Sequence, residues 1–201
     1  MSRDGYIKFH CQWIKGKPIP ATKLKKVNQW RSKLFAYGLI GSHGQGIGYG
    51  NISIRLGKAN NFLITGSATG QYKTLSGQHY AVVANYDFKA DRLTCRGPIQ
   101  ASSESLTHAA IYQSIPNVKA VIHVHSLKLW RKLLYKIPTT AKNVTYGTPA
   151  MAEEMIRLLK LPSTKRKKII ALAGHKPGLI AFGRNLNEAG GIILSQLKSN
   201  N

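Results

Sequence analysis

Residues 120–126 read AVIHVHS, an apolar run carrying two histidines one residue apart. Such a run folds as a buried strand, and a strand turns the side chains of residues i and i+2 to the same face. His123 and His125 therefore stand side by side, their Cα atoms about 7 Å apart, and both imidazoles can reach one ion. The rest of the chain has to bury this strand and, if an ion is held, to supply further ligands.

The flanking texture is mixed. YIKFHCQW (6–13) alternates like an edge strand, and KGKPIP breaks the chain after it. TKLKKVNQWRSKLFAYGLIG puts Leu24, Val27, Trp30, Leu34 and Tyr37 on a helical stripe, opened by Thr22 as a cap and closed by Gly38. SHGQGIGYGNISIRLG is a glycine-rich turn feeding a strand, FLIT is a strand followed by a loop with Gly66 and Gly70, and HYAVVANYD and RLTCRG are further strands. Then come SSESLTHAAIYQSI (helix), VKAVIHVHS (strand), SLKLWRKLLY and PAMAEEMIRLLKL (helices), KKIIALAGH and GLIAFG (strands) and NLNEAGGIILSQL (helix). No composition shift, Pro/Ser-rich linker or repeat divides the chain. The expectation is one α/β domain over residues 1–201, a three-layer αβα sandwich with a largely antiparallel central sheet rather than a doubly wound parallel one.

A content of 43% hydrophobic residues in 201 supports a sizeable core without staples. Cys11 and Cys95 have no CxxC spacing, so neither a disulfide framework nor a cysteine zinc knot is indicated, and a reducing cytoplasm is the simplest compartment. Neither an export signal nor a membrane span is legible. The charge is the outlying feature: 30 Lys+Arg against 7 Asp+Glu give +23, which favours anionic partners. Only KLKK (23–26) and TKRKK (164–168) are dense, and neither carries the interleaved aromatics of a base-stacking groove, so no specific nucleic-acid recognition is expected. So few acids also make each carboxylate informative.

First-row divalent metals take neutral imidazole nitrogens, and a catalytic site commonly supplies three protein ligands with one position open. His175, ending the apolar IIALAGH at a loop mouth, is the third candidate ligand, and Glu104 in ASSESLTH is either a fourth ligand or a base beside the ion. The competing explanation is two core histidines bonded to backbone. His108, four residues after Glu104 on the same helical face, fits a partner behind the ligands or a structural histidine, whereas His10, His43 and His79 lack comparable context. GIGYGN and TGSATG match neither a dinucleotide fingerprint nor a P-loop. Their tight turns expose backbone N–H groups that, with Asn51, Thr69, Ser102 and Ser103, would suit a phosphate ester, although glycines in hairpin turns look the same.

Taken in order, these segments resemble the class II aldolase/adducin family from about Leu34 to Leu194; residues 1–33 are less well matched. GYGNISIR, LITGSATG, ASSESLTHAAIYQ, AVIHVHS and GHKPGLIAFGRNLNEA each resemble a segment of the family pattern. The resemblance implies that His123, His125 and His175 hold a divalent metal, most often Zn2+ with Mn2+, Fe2+ or Co2+ as alternatives, and that Glu104 is the acid/base. It implies a substrate-phosphate pocket at Gly50, Asn51, Thr69, Gly70, Ser102 and Ser103, with Thr65 and Gly66 as the alternative register. The implied activity is that of a metal-dependent lyase, cleaving carbon–carbon bonds through a metal-stabilised enediolate in a small phosphorylated hydroxy-carbonyl compound. A dehydratase, an epimerase and a non-catalytic adducin-like assembly module are the alternatives, and a homo-oligomer is implied. Fifty positions separate His125 from His175, fewer than in the sugar-phosphate aldolases, and the chain ends without the tail that carries their catalytic tyrosine. Tyr146 is placed near the shortened region.

Overall fold

The computed structural model describes residues 7–44, 48–57 and 60–198. Along the chain come β1 (His10–Lys15), α1 (Ala21–Ala36), β2 (Gly41–Ser42), β3 (Gly48–Tyr49), β4 (Asn51–Arg55), β5 (Phe62–Thr65), β6 (Tyr80–Asp87) and β7 (Arg92–Gly97). They are followed by α2 (Ser105–Ser114), β8 (Ala120–His125), α3 (Leu127–Leu133), α4 (Pro149–Leu159), α5 (Pro162–Lys167), β9 (Ile169–Ala171), β10 (Gly178–Gly183) and α6 (Leu186–Lys198).

Eight strands build one sheet in the order β1-β7-β6-β5-β4-β8-β10-β9, while β2 and β3 pair separately. Neighbours are antiparallel except β1 and β7. The apolar run of residues 120–125 lies between β4 and β10, buried at every position. Its alternation feeds two cores. Val121 packs with Leu106, Ala109 and Ala110 of α2 and Met151 and Met155 of α4. Ala120, Ile122 and Val124 pack with Leu24, Val27 and Leu34 of α1 and Ala189 and Ile193 of α6. The architecture is therefore the expected three-layer αβα sandwich with a mostly antiparallel sheet, and His123 and His125 fall on the α2/α4 face.

Several local expectations are corrected. The first strand spans His10–Lys15 instead of 6–13, and Tyr6 lies outside the described residues. Thr22 caps nothing: α1 opens after Pro20, with no side-chain cap bond. Its buried stripe is Leu24, Val27, Arg31 and Leu34; Arg31 goes inward in place of Trp30 because its guanidinium finds carbonyl partners below. Gly38 does close α1, at φ +66°, with Gly38 N–H donating to Phe35 and Leu39 N–H to Leu34, each at 2.9 Å. KKIIALAGH is a strand only over Ile169–Ala171, and His175 sits in the turn before β10, where its N–H donates to the Leu172 carbonyl at 3.3 Å. Cys11 and Cys95, distant in sequence, are free thiols with sulfurs 3.6 Å apart across β1 and β7, a proximity that their spacing gave no means of seeing. Among the described residues no helix is long and apolar enough to cross a membrane.

Candidate metal centre

The antiparallel register of β8 sets the site. His123 faces Asn51 of β4 and Ile180 of β10, and His125 faces Gly178. A side chain at Gly178 would put its Cβ 2.9 Å from His123 Cε1 and 2.7 Å from the His175 carbonyl, so only glycine leaves room for the rings. His123 Nδ1–H donates to the Leu179 carbonyl at 3.1 Å, which turns the Nε2 lone pair inward. There it meets His125 Nε2 at 3.0 Å, and His125 Nε2 meets His175 Nε2 at 2.8 Å. The β9–β10 turn, not a strand end, delivers the third imidazole.

The donors suit a cation. All three imidazoles are buried. Burial lowers the pKa of His123 to about 4 and, with the neighbouring charges adding, holds His125 and His175 well below 6.5. Each is therefore neutral near pH 7, the form that ligates metal. Zn–N bonds of about 2.0–2.1 Å in a tetrahedron hold nitrogens about 3.3 Å apart, so the His123–His125 and His125–His175 pairs need to open by only a few tenths of an ångström. The three side chains form a group whose donor atoms lie within 4.8 Å of one another.

Glu104 stands beside them at the start of α2, 3% exposed, where the helix dipole favours a carboxylate. Its Oε1 is 3.3 Å from His175 Nδ1 and 3.9 Å from His123 Nε2, and Thr107 Oγ1 donates to its Oε2 at 3.3 Å. The carboxylate stands against His175 Nδ1 while His175 Nε2 is turned to His125.

Gly50, Asn51, Thr69, Gly70, Ser102 and Ser103 line the same cleft as Glu104 and the three histidines. All ten residues singled out from sequence are thus brought together. Of the alternative register, Gly66 also lines the cleft, whereas Thr65 accepts from Ile52 N–H at 3.3 Å inside the sheet. Asn51 Oδ1 is buried with no hydrogen-bond partner among the described residues. Thr69 Oγ1 donates to the Gly66 carbonyl at 2.8 Å, so its hydroxyl proton is already engaged. Beneath the loop, Arg31 is 2% exposed and meets no carboxylate among the described residues. Its guanidinium donates to the carbonyls of Lys73 (2.8 Å), Thr69 (3.2 Å) and Gly70 (2.9 Å).

Sequence reasoning missed Tyr49 in the cleft wall and two residues that contact the wall's tyrosines, His43 and Lys8. Tyr49 stacks on His125 with centroids 5.1 Å apart, His43 lies 4.5 Å from Tyr49, and Lys8 sits 3.6 Å over the Tyr146 ring. Tyr146 lines the cleft and meets His175 edge-on at 4.5 Å. Only the tyrosine inside GYGN carried any hint, through its neighbours. His108 resolves toward the structural alternative, facing Ser53 Oγ at 2.7 Å in the interior and not lining the cleft.

A three-layer sandwich that gathers three neutral imidazoles and a carboxylate at one end of its central strands defines a candidate metalloprotein. Its sequence assigns it further: the chain belongs to the Class II Aldolase and Adducin N-terminal domain family, whose profile matches residues 36–194. Among solved structures, L-fuculose 1-phosphate aldolase superposes with a TM-score of 0.68 at 19% identity, covering 90% of this chain and 84% of that one. The sugar-phosphate aldolase from Thermotoga maritima gives 0.67 at 17% identity, covering 89% and 92%. YgbL from Escherichia coli gives 0.65 at 21% identity, covering 88% and 86%. At these identities the likeness establishes the fold. No curated protein matches the chain by sequence.

Proposed function

We propose that this protein is a metal-dependent lyase of the aldolase type, acting on a small phosphorylated hydroxy-carbonyl compound, with Glu104 as its acid/base. The observation that carries this reading is the meeting of three Nε2 atoms at 2.8 and 3.0 Å with a buried carboxylate 3.3 Å from one of the rings. A divalent cation held by His123, His125 and His175, zinc before the alternatives, would supply Lewis acidity at a carbonyl oxygen and its neighbouring hydroxyl. Glu104, the one carboxylate among the described residues that lines the cleft, holds the transferred proton on Oε1. Gly50, Asn51, Thr69, Gly70, Ser102 and Ser103 would seat the phosphate through backbone N–H groups and the Asn51 side chain, which fixes the carbonyl end toward the histidines. A homo-oligomer in the cytoplasm belongs to the same reading.

The test is metal content per chain, by elemental analysis, of untagged protein beside His123→Ala. About one divalent ion per wild-type chain and none in the variant is expected. Absence of metal, with none taken up on titration, would overturn the reading. Glu104→Gln should keep its metal and lose turnover on a sugar-phosphate panel by about 10²- to 10⁴-fold, the usual worth of a positioned acid/base. The products of the wild-type reaction separate bond cleavage from dehydration and epimerisation.

A further inference from the structure

The two dense basic runs of the sequence, 23–26 and 164–168, are unused by the cleft, and the fold brings them to one surface. Strands β4, β8 and β10 carry the cleft residues Asn51, His123, His125 and the His175 turn at one end, with Asn51 opposite His123 and Gly178 opposite His125. At their other ends stand Arg55, Lys119 and Arg184, tied together where Arg55 N–H donates to Lys119 (2.9 Å) and Lys119 N–H to Gly183 (2.8 Å). Four or five residues of strand separate the two ends, about 15 Å.

Two grooves meet here. One is lined by Lys23, Lys25 and Lys26 of α1 together with Arg55, Lys119 and Arg184. The other is lined by Arg184 again and by Lys165 and Lys168. Among the described residues no carboxylate lines either groove. Glu188 is bonded to Lys168 and Arg184, while Lys23, Lys25, Lys26, Lys119 and Lys165 have no acidic partner among the described residues. The floor is firm: Trp30 Nε1–H donates to Asn187 Oδ1 at 2.8 Å, and Gly190 lies directly under the indole, where a Cβ would sit 2.1 Å from Cζ3.

We infer that this band is a docking surface for the phosphodiester backbone of a nucleic acid, read without regard to sequence. Cations spread over two adjoining grooves fit a chain of phosphates rather than one small anion or a flat bilayer. The five lysines without an acidic partner are point charges that serve a run of phosphates, while the Arg55 guanidinium is taken up by the Val118 and Tyr112 carbonyls and Asn60. Asn185 and Asn187 at the groove wall add neutral hydrogen bonds. Contacts of this kind position a backbone and carry no base code, which agrees with the absence of interleaved aromatics in the two runs.

The test is anisotropy titration of labelled mixed-sequence strands of about 20 nucleotides, single and duplex, from about 50 to 200 mM salt. Wild type is compared with Lys23→Glu/Lys26→Glu/Lys165→Glu and with a control of equal net charge, Lys15→Glu/Lys89→Glu/Lys136→Glu. All six lysines are exposed, circular dichroism checks the fold, and the corresponding Lys→Gln sets replace any reversal that misfolds. The band variant should bind more than tenfold more weakly, with the salt slope reduced by about 2 to 3, against less than threefold weakening in the control. Metal content should be equal in all three proteins. Equal weakening of both variants would assign the binding to net charge alone, displacement by poly-glutamate as readily as by unlabelled strand would assign the surface to an acidic polypeptide, and no binding at the lowest salt would remove the surface altogether. Each of these three results overturns the inference.

Discussion

Acid sensitivity of the metal-free protein tests whether the interior imidazoles are held neutral. His108, His123, His125 and His175 are buried, and burial is the leading cause of a lowered pKa at each, to about 4 for His123 and well below 6.5 for the others. In the unfolded chain the same groups titrate near 6.5. Below that pH the unfolded state therefore binds more protons than the native one, so stability is fully present above the unfolded value and is lost as the pH falls. From about pH 7.5 to 5.5 an unfolded imidazole passes from about one-tenth to about nine-tenths protonated, which costs about 1.4 kcal/mol per histidine and roughly 5 kcal/mol for four. That is a large share of the roughly 5–15 kcal/mol that holds a domain folded. Urea unfolding of chelator-treated protein across this interval should show the midpoint falling steeply. His108→Gln, compared at the same pH values, should lose about a quarter of the slope. A midpoint that stays level or rises would refute the argument that these rings are buried in their neutral form.

Three further outcomes follow from named contacts. Arg31→Met strips the donors from three loop carbonyls at about 1–3 kcal/mol for each buried orphan; with apolar burial offsetting part, roughly 3 kcal/mol should remain, about 6–12 °C in Tm. Its KM for a phosphorylated substrate should rise more than kcat falls, and Arg31→Lys should recover part of the loss; unchanged Tm and KM would refute the loop-holding role. Gly70→Ala puts a Cβ 2.2 Å from the Gly41 carbonyl and 2.8 Å from Tyr49 N, backbone on both sides, so about 1–3 kcal/mol of strain should appear as a lower Tm with metal content retained. Glu188 is held at a pKa of about 2 by Lys168 first and by the Arg184 N–H next. Its contribution is present above the unfolded carboxylate value and is lost as pH falls toward 2, so Glu188→Gln should show a shallower loss of stability than wild type in that window, measured by acid titration of the circular dichroism.

The parts of the fold that were legible are those in which one segment states its own environment. AVIHVH names its two faces by alternation, and Gly38 names the end of α1 because its positive φ suits glycine. What was not legible depends on partners chosen from afar. Trp30 outranks Arg31 on any hydrophobic scale, yet Arg31 goes inward because the carbonyls of Thr69, Gly70 and Lys73, some forty residues on, await a donor. KKIIALAGH looks like a long strand, but Ala171 N–H is taken by the Pro138 carbonyl and Leu172 N–H by Gly178, which ends the ladder and starts the turn. The meeting of Cys11 with Cys95, and of the two lysine runs at Arg184, is likewise set by strand order, which no local pattern encodes.

The same dependence on register explains why the site can be read from so few residues. His123 and His125 lie on the α2/α4 face only because Asn51 pairs with His123 and Gly178 with His125; a slip by one residue would turn both rings to the α1/α6 face and Val124 to the cleft. Ile122 and Val124 on one face and Val121 on the other, each buried in its own core, make that slip costly. The apolar residues between the histidines thus act as the register lock for the histidines. Gly178 completes the lock from the partner strand, since any larger residue would collide with the His123 ring and the His175 carbonyl. Once β8 is pinned, the short turn after β9 and the first turn of α2 have only to bring one side chain each, His175 and Glu104, to a point already determined.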